Sequence, residues 1–156
     1  MVELRRITDD NFRTCIDLEV AEGQDAFVAP NLYTLAEAYV MLTNDECIPM
    51  PFAIYHDDEM VVFIAMAYQR GEGEQPVPFY EMYRFMVDKR HQGKGYGRAA
   101  LSRAIEYLKT QPLGQGSYIA TSFVPGNDVA KDLYVSLGFV ETGEYDGDEL
   151  VAHYQL

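Results

Sequence analysis

The chain has 156 residues, an apolar fraction of 48% and a formal net charge of −13. Such a length predicts one domain, residues 1–156, with a real core, and the acidic balance argues against nonspecific binding to nucleic acid or anionic membranes. No apolar run approaches the roughly 18 residues that cross a bilayer, Met1-Val-Glu-Leu-Arg-Arg6 carries no apolar signal core, and Cys15 and Cys47 stand in no metal or redox spacing, which predicts unpaired thiols in a reducing cytoplasm.

Val2 to Ile7 reads as a short first strand, and Asp9 or Asp10 as the cap of a helix running to about Val20. Ala21 to Pro30 is polar and irregular. Thr34-Leu-Ala-Glu37 has capping-box spacing and predicts a helix to about Leu42. Pro51 to Tyr55 and Met60 to Tyr68 predict strands joined by the polar turn His56-Asp-Asp-Glu59. Arg70 to Pro78, with two glycines and two prolines, predicts a loop. Phe79 to Val87 is the next strand, with Glu81, Tyr83 and Phe85 alternating onto one face.

A helix is expected from about Gly95 to Lys109, because Ala100, Leu101, Ala104, Ile105 and Leu108 share one face. Ser117 to Phe123 is strand-like. Asp128 to Leu137 predicts an amphipathic helix with Ala130, Leu133 and Leu137 inward and Gly138 ending it. Phe139 to Tyr145 and Leu150 to Gln155 predict a hairpin around Asp146-Gly147. The order β α α β β β α β α β β is that of a mixed α/β domain.

Charge is unevenly distributed. Arg84 to Lys109 holds seven basic and two acidic side chains, so it carries +5 and the remainder −18. The basic island surrounds Gln92-Gly-Lys-Gly-Tyr-Gly-Arg98, where a strand breaks into a glycine-rich loop that opens a helix. Alternate glycines let backbone N–H groups close on a ligand, and the helix start adds unpaired N–H groups and a positive dipole end. This is a phosphate cradle. The acidic remainder suits a cationic second ligand and equally serves solubility.

Three glycine motifs compete for the loop. A dinucleotide fingerprint requires G-x-G-x-x-G, whereas Gly93, Gly95 and Gly97 form G-x-G-x-G, and no acidic residue follows a second strand about 20 positions on. A P-loop requires Lys-Ser/Thr after its last glycine, where this chain has Arg98-Ala99. Gln92, Gly95 and Gly97 satisfy the third pattern, Gln/Arg-x-x-Gly-x-Gly/Ala. A second motif follows about 35 residues later, Asn127-Asp-Val-Ala-Lys-Asp-Leu-Tyr-Val-Ser-Leu-Gly-Phe139.

With both motifs in order, nearly the whole chain resembles the GNAT superfamily of acetyl-CoA-dependent N-acetyltransferases. Tyr83-Arg-Phe-Met-Val-Asp88, the glycine loop and the Gly143 to Gly147 region are most similar to bacterial spermine/spermidine acetyltransferases. The resemblance implies a twisted, mostly antiparallel sheet flanked by helices and split between the strands at 79–87 and 117–123. It implies that the backbone of Phe85, Met86 and Val87 pairs with the pantetheine arm. It implies that the amides of Gln92, Gly93, Lys94, Gly95, Tyr96, Gly97 and Arg98 hold the pyrophosphate, with charge added by Lys94 and Arg98. Asn127, and Ala130 in the same motif, would contact coenzyme A, and Tyr134 would face the thioester sulfur as general acid. The N–H of Val87 or Met86 would polarise the carbonyl.

The acceptor side is less defined. Related polyamine enzymes often carry a carboxylate at the position of Tyr83. Glu81, one alternation away, is the candidate base through a water, and Glu81 and Tyr83 are candidates for acceptor contact. Glu19, Glu22 and Asp25 lie where the family shapes its acceptor site, and would pair with ammonium groups. His56, His91 and His153 lack ligand spacing, so no metal is expected. The resemblance thus implies acetyl transfer to a primary amine, with a polyamine first among acceptors, and a homodimer. An aminoglycoside, another small amine or a protein amine is the alternative acceptor, and a noncatalytic acyl-CoA sensor the alternative class.

Overall fold

A computed structural model describes residues 1–45, 47–74 and 76–156. Seven strands form one sheet: β1 (Val2–Arg6), β2 (Ile48–His56), β3 (Glu59–Gln69), β4 (Phe79–Val87), β5 (Tyr118–Phe123), β6 (Val140–Asp146) and β7 (Glu149–Gln155). The helices are α1 (Phe12–Asp17), α2 (Asn31–Asn44), α3 (Tyr96–Lys109) and α4 (Asp128–Ser136), with a 3-10 turn at Lys89–His91. Spatial order is β1-β2-β3-β4-β5-β7-β6, and among the strands of the described residues only the β4–β5 pair is parallel.

The central strands are apolar at consecutive positions because both sheet faces are covered. On β3, Val62, Ile64 and Met66 join the core beneath α3, with Leu101, Ala104 and Leu108. Phe63 and Ala65 join the opposite core with Cys15 and Leu18. The buried face of α3 is the expected one, Ala100, Leu101, Ala104, Ile105 and Leu108.

Several boundaries differ from the expectation, each for a local reason. α1 is shorter because Asn11, rather than Asp9 or Asp10, turns the chain; its Oδ1 accepts the Thr8 N–H at 2.8 Å. Leu18 is already extended, and residue 19 is captured by the strand end at Asp88. α2 starts at Asn31 after Pro30, so Thr34 lies buried inside the helix instead of capping it. β2 starts at Ile48 and includes Pro49 and Pro51. β1 pairs only with residues 52–56. The two prolines share one strand parity, so their missing N–H groups fall on that unpaired edge and cost no ladder bond.

The main correction concerns β4. Ala65 pairs with Arg84 but Met66 pairs with Met82, so Tyr83 is the extra residue of a β-bulge. One extra residue reverses the alternation. Glu81 pairs with Ala67, while Phe85 pairs with Ile64 on the face beneath α3. Tyr83 packs with Met86 on the other face. Phe85 therefore does not share a face with Glu81 and Tyr83.

Candidate active site

The site begins where the sheet comes apart. β4 and β5 pair only over Tyr80–Ile119, Glu81–Ala120 and Met82–Thr121. Thr121 Oγ1 closes the vertex by donating to the Met82 carbonyl at 3.1 Å. Beyond it the strands diverge, and among the described residues no strand pairs with β4 from Tyr83 to Val87 on that edge. The Asp88 N–H donates to the Val61 carbonyl at 3.0 Å. Antiparallel alternation then directs the Met86 N–H toward β3 and leaves the amides of Phe85 and Val87 facing the gap. Of Met86 and Val87, Val87 is the one whose N–H faces the gap.

A cavity of about 480 Å³ lies at the wide end of the split. Its walls include Phe85, Met86, Val87, Gln92, Gly93, Gly95, Tyr96, Gly97, Asn127 and Ala130. Gly93 and Gly95 have φ of 75° and 85°, a left-handed conformation that L side chains resist. Gly97 has an ordinary φ and room for a methyl group. A Cβ there would stand 3.4 Å from Val87 Cγ2 and 3.7 Å from Phe85 Cζ and Leu133 Cδ2. The backbone thus bends twice to aim the start of α3 at the cavity, where an anion gains up to about 1 kcal/mol from the helix end. Gln92 steadies the bend; its Nε2 donates to the Val87 carbonyl at 3.0 Å and to Gln24 Oε1 at 2.8 Å.

Lys94 and Arg98 do not line this cavity. Arg98 Nη2 donates to Ser136 Oγ at 2.6 Å, tying α3 to α4. His91 does line it, with Nε2 3.1 Å from Glu59 Oε1.

A second cavity, of about 680 Å³, lies across the vertex and shares Phe27, Val28, Phe85, Asn127 and Ala130 with the first. Tyr134 lines it, buried against Phe123 and Phe139. Burial pushes the Tyr134 phenol up; a hydrogen bond with the Thr121 side chain opposes this, and the charge of Glu149 adds to it. A phenol held neutral in this way can donate a proton into the second cavity, one turn of α4 from Ala130, which both cavities share.

Two separate segments bring acidic groups to the second cavity: Asp25 from the loop between α1 and α2, and Asp146, Asp148 and Glu149 from the β6–β7 tip. Among the described residues Arg84 is the one lysine or arginine on the wall, and its Nη2 lies 3.4 Å from Glu37 Oε1. Tyr83 also lines this cavity.

The remaining expected acceptor residues fall elsewhere. Glu81 lines neither cavity. It accepts from Gln69 Nε2 at 3.0 Å, and burial raises its pKa against the opposing effect of that hydrogen bond. Glu19 is drawn to the loop instead, with Oε2 2.6 Å from Lys89 Nζ, its N–H on buried Asp88 and its carbonyl accepting from the Lys89 N–H. Glu22 lines neither cavity. The acidic tip was missed from sequence. Its Asp-Gly-Asp-Glu composition was visible, but only the β5–β7 pairing carries it over the vertex.

Solved acetyltransferases share this architecture. The aminoglycoside acetyltransferase AAC(6')-Ib in complex with coenzyme A superposes with a TM-score of 0.78 at 17% identity, over 99% of this chain and 95% of that one. The PaiA N-acetyltransferase from Thermoplasma acidophilum, in complex with coenzyme A, gives 0.71 at 15% identity, over 100% and 99%. These likenesses define the fold class. The acetyltransferase (GNAT) family matches residues 7–139, and the chain belongs to that family. It is an acetyl-CoA-dependent N-acetyltransferase. Among curated relatives, the spermine/spermidine N(1)-acetyltransferase of Bacillus subtilis (strain 168) is 27% identical over 147 residues, 93% of this chain and 91% of the relative.

Proposed function

We propose that the chain acetylates a primary amine of a polyamine such as spermine or spermidine, by direct transfer. The supporting observation is the pair of joined cavities, one walled by the glycine cradle and the other rimmed by Asp25, Asp146, Asp148 and Glu149. Several carboxylates from two segments of the chain suit a ligand that carries more than one positive charge. The name of the Bacillus subtilis relative points the same way.

On this reading the amides at Gln92 to Arg98 hold the pyrophosphate, and the missing side chain at Gly97 leaves room for the ligand to approach. The unpaired edge of β4 binds the pantetheine arm as an added strand. Bound acetyl-CoA supplies a thioester carbonyl for the amine to attack and a thiolate to be expelled. The Val87 N–H bonds the carbonyl oxygen. Tyr134 Oη gives its proton to the departing sulfur. The acidic rims hold the distal ammonium groups. Glu81, reached through water, takes the proton from the attacking nitrogen, a role favoured by its raised pKa.

The test is turnover of spermine, spermidine, diamines, aminoglycosides and peptide N-termini, measured side by side by release of free thiol. Spermine and spermidine are expected to give the highest kcat/KM. If they stay at background while an aminoglycoside or peptide turns over, the polyamine assignment fails and the acetyltransferase assignment stands.

A further inference from the structure

The outward face of α2 is apolar where a solvent-facing helix is normally charged. At 100° per residue, Leu32, Tyr33, Ala36, Tyr39, Val40 and Thr43 fall within one arc of about 120°. All six are exposed. Tyr39 is 72% exposed, Leu32 58%, Tyr33 57% and Val40 52%. The one charged residue of the helix, Glu37, turns away toward Arg84. Residues 26 to 44 contain no other charged side chain, in a chain of net charge −13.

From this face we infer that α2 is the contact surface of a symmetric homodimer, in which α2 of one copy packs antiparallel on α2 of the other and the helices cross at Ala36. Two features select a second copy as the occupant. The first is self-complementarity. A two-fold interface must map onto itself, and this face reads the same in both directions about Ala36. Leu32 would meet Val40 of the second copy, four residues on either side of the crossing, and Tyr33 would meet Tyr39, three residues on either side. The small side chain at the centre allows close approach of the two helices.

The second feature is charge. Two copies at −13 repel over most of their surface, and they come together at least cost where no charge faces the partner. A basic partner would seek the acidic rims instead. The exposed side chains amount to about 600 Å² per copy, close to the roughly 800 Å² per partner of a stable interface. The flanking Leu42, 59% exposed, adds to the contact. An apolar patch of this size stands at the upper end of what a monomer's surface carries, where such patches often serve in binding.

The experiment is sedimentation equilibrium of the whole chain over a wide concentration range, at low and high salt. A species of twice 17.7 kDa is expected, and it should tighten with salt as the mutual repulsion is screened. Ala36→Arg and Tyr39→Glu should abolish it while turnover per chain persists. Ala36→Cys should form a covalent dimer under mild oxidation, whereas Arg103→Cys on the exposed surface of α3 should not. The Cys pair keeps the test decisive if a charged variant fails to fold. A wild-type chain that is monomeric at every concentration, a dimer that survives both charged substitutions, or equal cross-linking at positions 36 and 103 would overturn the inference.

Discussion

Gly95 and Gly97 stand two residues apart in the cradle, and replacing each by alanine should move stability in opposite directions. At Gly95 the φ of 85° is the difficulty, since a Cβ there meets nothing within 4 Å. The left-handed conformation costs an L residue about 1–2 kcal/mol. For a chain of this size each kcal/mol is worth about 2–4 °C in Tm, so Gly95→Ala should melt roughly 2–8 °C lower. At Gly97 φ is ordinary and the new methyl lies 3.4–3.7 Å from its neighbours, which is normal contact. Exchanging glycine for alanine in a helix gains up to about 1 kcal/mol, so Gly97→Ala should melt at the wild-type temperature or slightly above.

Both variants should raise the KM for acetyl-CoA, by different routes. Gly95→Ala re-aims the amides, and losing one charge-assisted hydrogen bond of about 1.5–3 kcal/mol corresponds to roughly 10–100-fold. Gly97→Ala crowds the wall against which the ligand lies. Thermal melts together with initial rates at varied acetyl-CoA separate the two. A Gly95→Ala variant that melts with wild type would refute the backbone geometry of the cradle. A Gly97→Ala variant destabilised by several degrees would refute the space assigned around that glycine.

Three further substitutions test the junction and its surroundings. Tyr134→Phe keeps the ring packing and should lower kcat by about 10²–10⁴-fold with little change in the KM for acetyl-CoA; an unchanged kcat removes the phenol from the chemistry. Glu81 has a raised pKa, so its protonated form is favoured by folding, and the stability it contributes is present below the ordinary carboxylate pKa and lost as pH rises through the raised value. Glu81→Gln should therefore melt above wild type near neutral pH, with the difference closing in acid, while its kcat/KM falls if Glu81 is the proton acceptor. Asp88 behaves oppositely. Burial alone would raise its pKa, but hydrogen bonds from the Arg90 side chain and from the Glu19 and Arg90 N–H groups outweigh this and hold it below the usual range. Asp88→Asn should cost about 1–3 kcal/mol at neutral pH, and the gap to wild type should shrink as pH falls through the depressed pKa of Asp88.

The parts legible in the sequence were those governed by near neighbours. Helical spacing identified the buried face of α3, and the spacing of Gln92, Gly95 and Gly97 identified a loop that does wall a cavity. What escaped depends on partners distant along the chain. The bulge at Tyr83 exists only relative to β3, so strict alternation put Phe85 on the wrong face. Glu19 looked like an acceptor carboxylate, yet residues about 70 positions later claim its side chain and its backbone. Asp146, Asp148 and Glu149 reached the second cavity only after β7 had paired with β5. Thr34 and Glu37 matched a capping rule, but Pro30 had already opened the helix one turn earlier.

The three-residue seam between β4 and β5 means that few backbone bonds stitch the first four strands to the last three. A molecule lying along the open edge of β4 would act as a temporary suture between them. Cofactor occupancy and mechanical cohesion would then be one quantity, and the melting temperature would read the cellular supply of acetyl donor.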